Sequence, residues 1–115
     1  MSTIFAPRHY SRFQTKYMVH FMGDAFLGRG TIFDMSLGGC RIDGDVTVQA
    51  GSPLALRLVV PNRPAPINVD RVKIRWVKGQ TFGVEFLAMQ PAERTRLSQL
   101  IHGLASRHYA ASVAD

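Results

Sequence analysis

The 115 residues predict a mainly β fold, a six-stranded antiparallel barrel followed by a C-terminal α-helix. Three observations carry that expectation. Apolar residues alternate with period two through six short segments. Gly, Pro, Asp and Asn cluster in the intervals between them, where turn dihedrals are needed. Only the last segment carries apolar residues at helical spacing. Closing the strands into a barrel removes exposed sheet edges, the usual solution for strands this short. The length suits one domain with one core. Residues 1–15 form a lead-in without clear periodicity, residues 16–109 the barrel and helix, and residues 110–115 a tail.

Each element has its own signature. From Lys16, Tyr17, Val19 and Phe21 alternate with Met18, His20 and Met22, giving a first strand with two largely apolar faces. "GDAF" is a hairpin turn, and the second strand covers Phe26 to Phe33. "DMSLGG" bends into a short third strand, "CRID", with Cys40 and Ile42 on one face, and "GDVTVQAGSP" is a loop. In the fourth strand Leu54, Leu56, Leu58 and Val60 face one way, Ala55, Arg57 and Val59 the other. "PNRPAP" must turn, because its prolines remove ladder donors. In the fifth strand the apolar parity changes between Ile67 and Val69 and the later Val72, Ile74 and Trp76, which predicts a β-bulge near Asp70 and Arg71. By this parity Trp76 faces the core. "KGQ" turns again, and "TFGVEF" places Phe82, Val84 and Phe86 on one face.

The helix opens at Pro91 and Glu93 and carries Leu97, Leu100, Ile101 and Leu104 as a stripe over about five turns, suited to covering the barrel or, alternatively, to self-association. Gly103 weakens such a helix by about 1 kcal/mol relative to Ala, which suggests that its backbone packs closely. "GRG", Gly28 to Gly30, lacks the strand-loop-helix context of a phosphate loop and suits a bulge or close packing.

Composition narrows the function classes. Hydrophobic residues at 46% and charged residues at 19% are ordinary for a globular chain. No apolar run approaches the roughly 20 residues needed to cross a bilayer, and the first residues lack a signal-peptide apolar stretch, so the expectation is a soluble, cytoplasmic protein. Cys40, the single cysteine, can form no internal disulfide and suits a small buried apolar position. The formal net charge is +6, and eleven of the fourteen Lys plus Arg residues are arginines. Arginine favours planar, bidentate contact with phosphates and guanine edges, so an anionic partner fits as well as a solvated basic surface does. No catalytic set is present: Ser36 has no base, the four histidines have no ligand spacing, and the carboxylates are scattered. The expectation is a binding protein rather than an enzyme, with no cofactor.

Two constellations can hold an anion. Arg8 and Arg12 in "RHYSR" lie about 13 Å apart if extended and about 6 Å apart in a helical turn, so both side chains can converge on one compact group. In "DMSLGG", Asp34 offers acceptors to the N–H groups of a guanine Watson–Crick edge, while the Ser36 hydroxyl can donate or accept. Gly38 and Gly39 permit positive φ and close backbone approach. An Asx-type turn with glycines at a tight bend explains the second stretch equally simply. His9 and Tyr10 could stack on a base or pack on the barrel, and Arg71, Lys73 and Arg75 alternate outward as a solvated face or as an extension of a binding surface.

Taken together, these stretches resemble the PilZ domain family of bacterial cyclic di-GMP receptors, whose pattern is RxxxR followed, after a strand hairpin, by [DN]xSxxG. Arg8 and Arg12 match the first motif; Asp34, Ser36 and Gly38 match the second, with Gly39 a frequent extra glycine. The likeness continues through "GCRI", "RWV" and "FGVEF", from roughly Arg8 to Leu104. The resemblance implies a barrel whose outer surface holds cyclic di-GMP beneath the arginine segment, with Asp34 and Ser36 selecting guanine over adenine and an unidentified downstream protein as partner. Some family members bind an intercalated ligand pair and use a further basic residue just before the first motif arginine. That position is Pro7 here, which favours one bound molecule unless Arg29 or Arg41 substitutes. A barrel of this family that binds proteins but no dinucleotide is the alternative. Nucleic acid is a weaker expectation, because the aromatics are read as inward-facing.

Overall fold

The computed structural model describes residues 11–114, with side chains through Arg107. Six antiparallel strands, β1 (Phe13–Met22), β2 (Leu27–Met35), β3 (Gly39–Gly44), β4 (Leu54–Val59), β5 (Ile67–Lys78) and β6 (Thr81–Ala88), precede one helix, α1 (Pro91–Ala114). The strands close in the order β1-β2-β3-β6-β5-β4, with β4 pairing back to β1. Period-two alternation supplies the core directly: Val19, Phe21, Ile32, Ile42, Leu54, Leu56, Leu58, Ile67, Val69 and Phe82 are all buried, and so is Cys40. Edge-to-face packing of Phe21 on Phe82, with centroids 5.1 Å apart, links β1 to β6 across the interior.

The bulge expected in the fifth strand is present. Leu56 pairs with Val69 and Leu54 with Val72, so Asp70 and Arg71 form an excess step on β5, and both remain exposed while Val69 and Val72 point inward. The tight "PNRPAP" turn places Asn62 at φ 64°, a left-handed conformation that Asn tolerates. Gly28 and Gly30 serve close packing, since a Cβ there would meet the Phe21 ring and the Asp43 carbonyl.

Four expectations need correction. β1 begins at Phe13, inside the lead-in, because an extra residue between Gln14 and Tyr17 breaks the alternation that would have shown it. The Thr15 hydroxyl donates to the Ile32 carbonyl at 2.6 Å and helps hold this irregular stretch. β2 starts at Leu27 and runs on through Asp34 to Met35, so the bend is shorter than "DMSLGG". The helix continues to Ala114, past Tyr109 and through most of the expected tail. A Cβ added at Gly103 would meet nothing closer than the Arg107 guanidinium, at an ordinary van der Waals 3.7 Å, so Gly103 is not a close-packing point.

Leu97, Leu100 and Ile101 are buried on the barrel core and Leu104 packs beside them, as the stripe requires. The helix start is tied down by Glu93, whose Oε1 accepts from the Asn68 backbone N–H at 2.9 Å and from Arg96. Arg96 in turn donates to the Ala65 carbonyl at 2.6 Å. Among the described residues, no helix is long and apolar enough to cross a membrane.

Candidate functional site

A second bulge shapes the outer surface. On β5, Ile74 pairs with Val84 of β6 and Trp76 pairs with the next residue back, Gly83, so the intervening Arg75 is an extra step. That step reverses the inward parity: Ile74 is buried, whereas Trp76 is 43% exposed. Trp76 is therefore not a core residue, contrary to the sequence expectation. Its indole lies over Gly83, where a Cβ would come within 2.2 Å of Nε1. A glycine inside a strand marks close approach of another group, and here the group is an aromatic plane on the outside of the barrel.

The neighbouring strands complete a cleft of about 470 Å³. A bulge on β2 lets Ile32 and Met35 both point inward while Phe33 and Asp34 lie between them, which turns Asp34 toward the outer surface opposite Arg41 of β3. Ser36, Gly38, Gly39, Cys40 and Arg41 line it from the bend and β3, Arg75 and Trp76 from β5, and Gly83, Val84 and Glu85 from β6 between them. At the mouth stands Arg12, its Nε donating to Asp34 Oδ1 at 2.8 Å. Arg41 lies with its guanidinium 5.6 Å from the Phe33 ring centroid, and Arg75 pairs with Glu85 at 3.3 Å. The cleft thus carries three guanidinium groups and two carboxylates, in a surface position where planar cations can be repartnered by a ligand.

The motif turn is internally braced. Ser36 N–H donates to the Gly39 carbonyl at 2.9 Å, and the Phe86 N–H donates to the Gly38 carbonyl at 2.9 Å, pinning the bend to β6. Ser36 is 1% exposed, and its Oγ accepts from the Gly38 N–H at 3.1 Å. In this conformation the hydroxyl serves the turn. Neither Gly38 nor Gly39 has positive φ. Gly39 is required by space instead, because a Cβ would fall 2.1 Å from the Val84 carbonyl oxygen. Burial pushes the Cys40 thiol far above its ordinary pKa; the nearby Arg12 charge works in the opposite direction and Asp34 adds to the rise. Cys40 is accordingly an uncharged packing group.

A model of the PilZ domain matches residues 6–103. The chain belongs to the PilZ domain family. A comparison with curated proteins found no match. Among solved structures the chain is similar to Escherichia coli YcgR in complex with c-di-GMP, at 19% identity and a TM-score of 0.69 over 92% of this chain and 50% of that one. The PilZ domain of the same protein with c-di-GMP matches at 17% identity and a TM-score of 0.61, over 91% of this chain and 96% of that one. The PilZ domain of CeSA from a cellulose-synthesizing bacterium matches at 14% identity and a TM-score of 0.66, covering 83% of this chain and 98% of that chain. The chain spans about half the length of that YcgR chain and nearly all of the two PilZ-domain chains.

Within this PilZ barrel, Arg12, Asp34, Ser36, Gly38 and Gly39 come together at one cleft, and Arg8 lies outside the described residues. Sequence reasoning missed Trp76 and Glu85 as cleft residues, and for Arg75 it favoured a solvated face over a place on a binding surface. The available signal was Gly83 in the middle of "FGVEF", a strand glycine with no turn to explain it. Of the two arginines that could replace a cation at Pro7, Arg41 lines the cleft, whereas Arg29 is not among the residues lining it.

Proposed function

We propose that this PilZ domain is a cyclic di-GMP receptor that takes its ligand in the cleft between Arg12 and Trp76. The observation that carries the reading is the Arg12–Asp34 contact at 2.8 Å, which joins the two sequence motifs at the cleft mouth. Arg12 spends Nε on Asp34 and retains its terminal nitrogens for a phosphate or for guanine O6 and N7, a bidentate geometry that lysine cannot reproduce. Asp34 accepts from guanine N1–H and the exocyclic amine; adenine presents an acceptor where guanine N1 donates, so the carboxylate disfavours it. Trp76 offers an exposed ring face on which a purine can stack, an interaction of about 1–3 kcal/mol per base. Arg41 and Arg75 balance the two phosphate charges, and Ser36 keeps the turn in shape beneath the ligand.

Arg8 closes the site from the lead-in. Fixing a segment costs about 1–2 kcal/mol of backbone entropy per residue, so several charge-assisted contacts must form together. The ordered lead-in then creates or masks the surface read by a downstream protein. With Pro7 in place of a basic residue, the expected stoichiometry is one ligand per chain.

Isothermal titration with cyclic di-GMP and, separately, cyclic di-AMP tests this reading. The guanine ligand binds and the adenine ligand does not, and Arg8→Ala and Arg12→Ala each weaken binding tenfold or more. No heat from the guanine ligand at millimolar excess over folded protein, or unchanged affinity in both variants, overturns it.

A further inference from the structure

The opposite side of the barrel, the outer face of β2, β1 and β4, carries a second ordered surface. In register, Arg29 of β2 pairs with His20 of β1, and His20 pairs with Arg57 of β4. These three outward residues form one row running across the strands. Toward one end of the strands the next outward row is Thr31, Met18 and Val59, and toward the other it is Leu27, Met22 and Ala55. Met18 is 50% exposed and Leu27 65%. A row with an arginine at each end is thus bordered by an apolar row on one side and by Met18 and Val59 on the other.

The cations are not satisfied within the fold. Among the described residues, neither Arg29 nor Arg57 lies within ion-pair distance of a carboxylate. Asp45, adjacent to Arg29, spends Oδ1 on the Arg29 backbone N–H at 2.8 Å. Arg57 has only a long hydrogen bond, 3.4 Å, to the Asn68 amide.

The spacing selects the partner's shape. Two inter-strand steps of about 4.8 Å separate Arg29 from Arg57 by about 10 Å. Seven residues of α-helix rise about 10.5 Å, so acidic side chains recurring every three or four residues on one helix meet the row in phase. Apolar residues flanking that acidic stripe would then cover the Met18–Val59 row on one side and the Leu27–Met22 row on the other. A nucleic acid suits this face poorly, because its phosphates gain nothing from the apolar rows and such interfaces are much more positively charged. An anionic membrane surface requires a larger basic cluster, typically four to eight cations.

We propose that the β2–β1–β4 face docks an acidic amphipathic helix of a partner protein, with Arg29 and Arg57 as its charge anchors. The inference is independent of the dinucleotide reading, since none of these residues lines the cleft.

The test uses the full chain and a labelled synthetic helix whose glutamates recur every three or four residues between leucines, followed by fluorescence anisotropy and by amide chemical-shift mapping. Saturable binding is expected, with shifts confined to β1, β2 and β4 and a tenfold or greater loss in the double variant R29E/R57E. A second double variant, M18S/L27S, is expected to weaken binding several-fold without changing the salt dependence. Both variants should bind cyclic di-GMP like the parent chain, which separates this surface from the cleft and reports correct folding. Equal binding of a helix with lysine in place of glutamate, absence of binding at millimolar peptide, or displacement by cyclic di-GMP overturns the proposal. So does unchanged affinity in R29E/R57E, or an R29E/R57E-sensitive interaction with anionic vesicles or oligonucleotides that exceeds peptide binding.

Discussion

Two outward faces of one barrel are built from the same strand pairing and differ in what is left out. On β3, β6 and β5, Gly39 and Gly83 stand where side chains would otherwise project, and the vacated volume is taken by the Val84 carbonyl on one side and by the Trp76 indole on the other. On β2, β1 and β4, the rows through Met18, His20 and Met22 carry side chains at outward positions from strand to strand. The first face is a cleft; the second is a patterned surface suited to contact over a wide area. A closed barrel has no free edge to offer, which leaves its outer faces for recognition.

Filling the omission should break the contrast most strongly. Gly39→Ala puts a methyl group against a backbone carbonyl that cannot swing aside, and a loss of about 3 kcal/mol, the upper end of overpacking penalties, is expected in urea unfolding. A Gly39→Ala protein as stable as the parent would show that the close approach is not rigid. Next is Trp76→Ala, which removes the aromatic wall but little core packing, because the ring is outside. Its expected effect is a loss of about 2 kcal/mol, roughly 30-fold, in cyclic di-GMP affinity with a thermal midpoint near that of the parent. In the parent chain Trp76 is the only tryptophan, so its fluorescence should change on titration with the dinucleotide.

Arg12→Ala sharpens the comparison differently. Its pair with Asp34 is largely open to solvent, and such pairs contribute about 0.2–1 kcal/mol to folding. Affinity should fall tenfold or more while stability moves by less than 1 kcal/mol, a separation readable from titration and denaturation on the same sample. At neutral pH the smallest effect is that of Cys40, which shows only in alkali. The folded thiol holds its proton at a pH where the unfolded thiol, near the ordinary value of 9.0, releases it. The folded state then binds more protons, so stability falls as pH rises above about 9, at up to about 1.4 kcal/mol per pH unit. Cys40→Ala should lack that component of the alkaline slope, and identical slopes would mean that the thiol is not the group responsible.

The readable and unreadable parts of this chain separate by physical cause. The bulge at Asp70 and Arg71 was legible because inward apolar residues flank it on both sides, so the parity change is written in Val69 and Val72. The bulge at Arg75 was not, because Trp76 and Val77 beyond it are both apolar and either could be the inward residue. The register shift near Thr15 concealed the start of β1 in the same way, by interrupting the alternation that identifies a strand. Ser36 was legible as a motif residue, but a hydroxyl that can donate or accept gives no indication in sequence whether it faces a ligand or a turn.

The order of residues alone determined the mainly β architecture, the helix stripe at Leu97, Leu100 and Ile101, and the two motifs, because each is a local pattern of apolar period or turn chemistry. Only the folded chain decided that Asp34 meets Arg12, that Trp76 looks outward over Gly83, and that Arg29, His20 and Arg57 fall in one row. These depend on strand register, and register is fixed by pairing between segments far apart in sequence, where a single inserted residue redirects every side chain that follows.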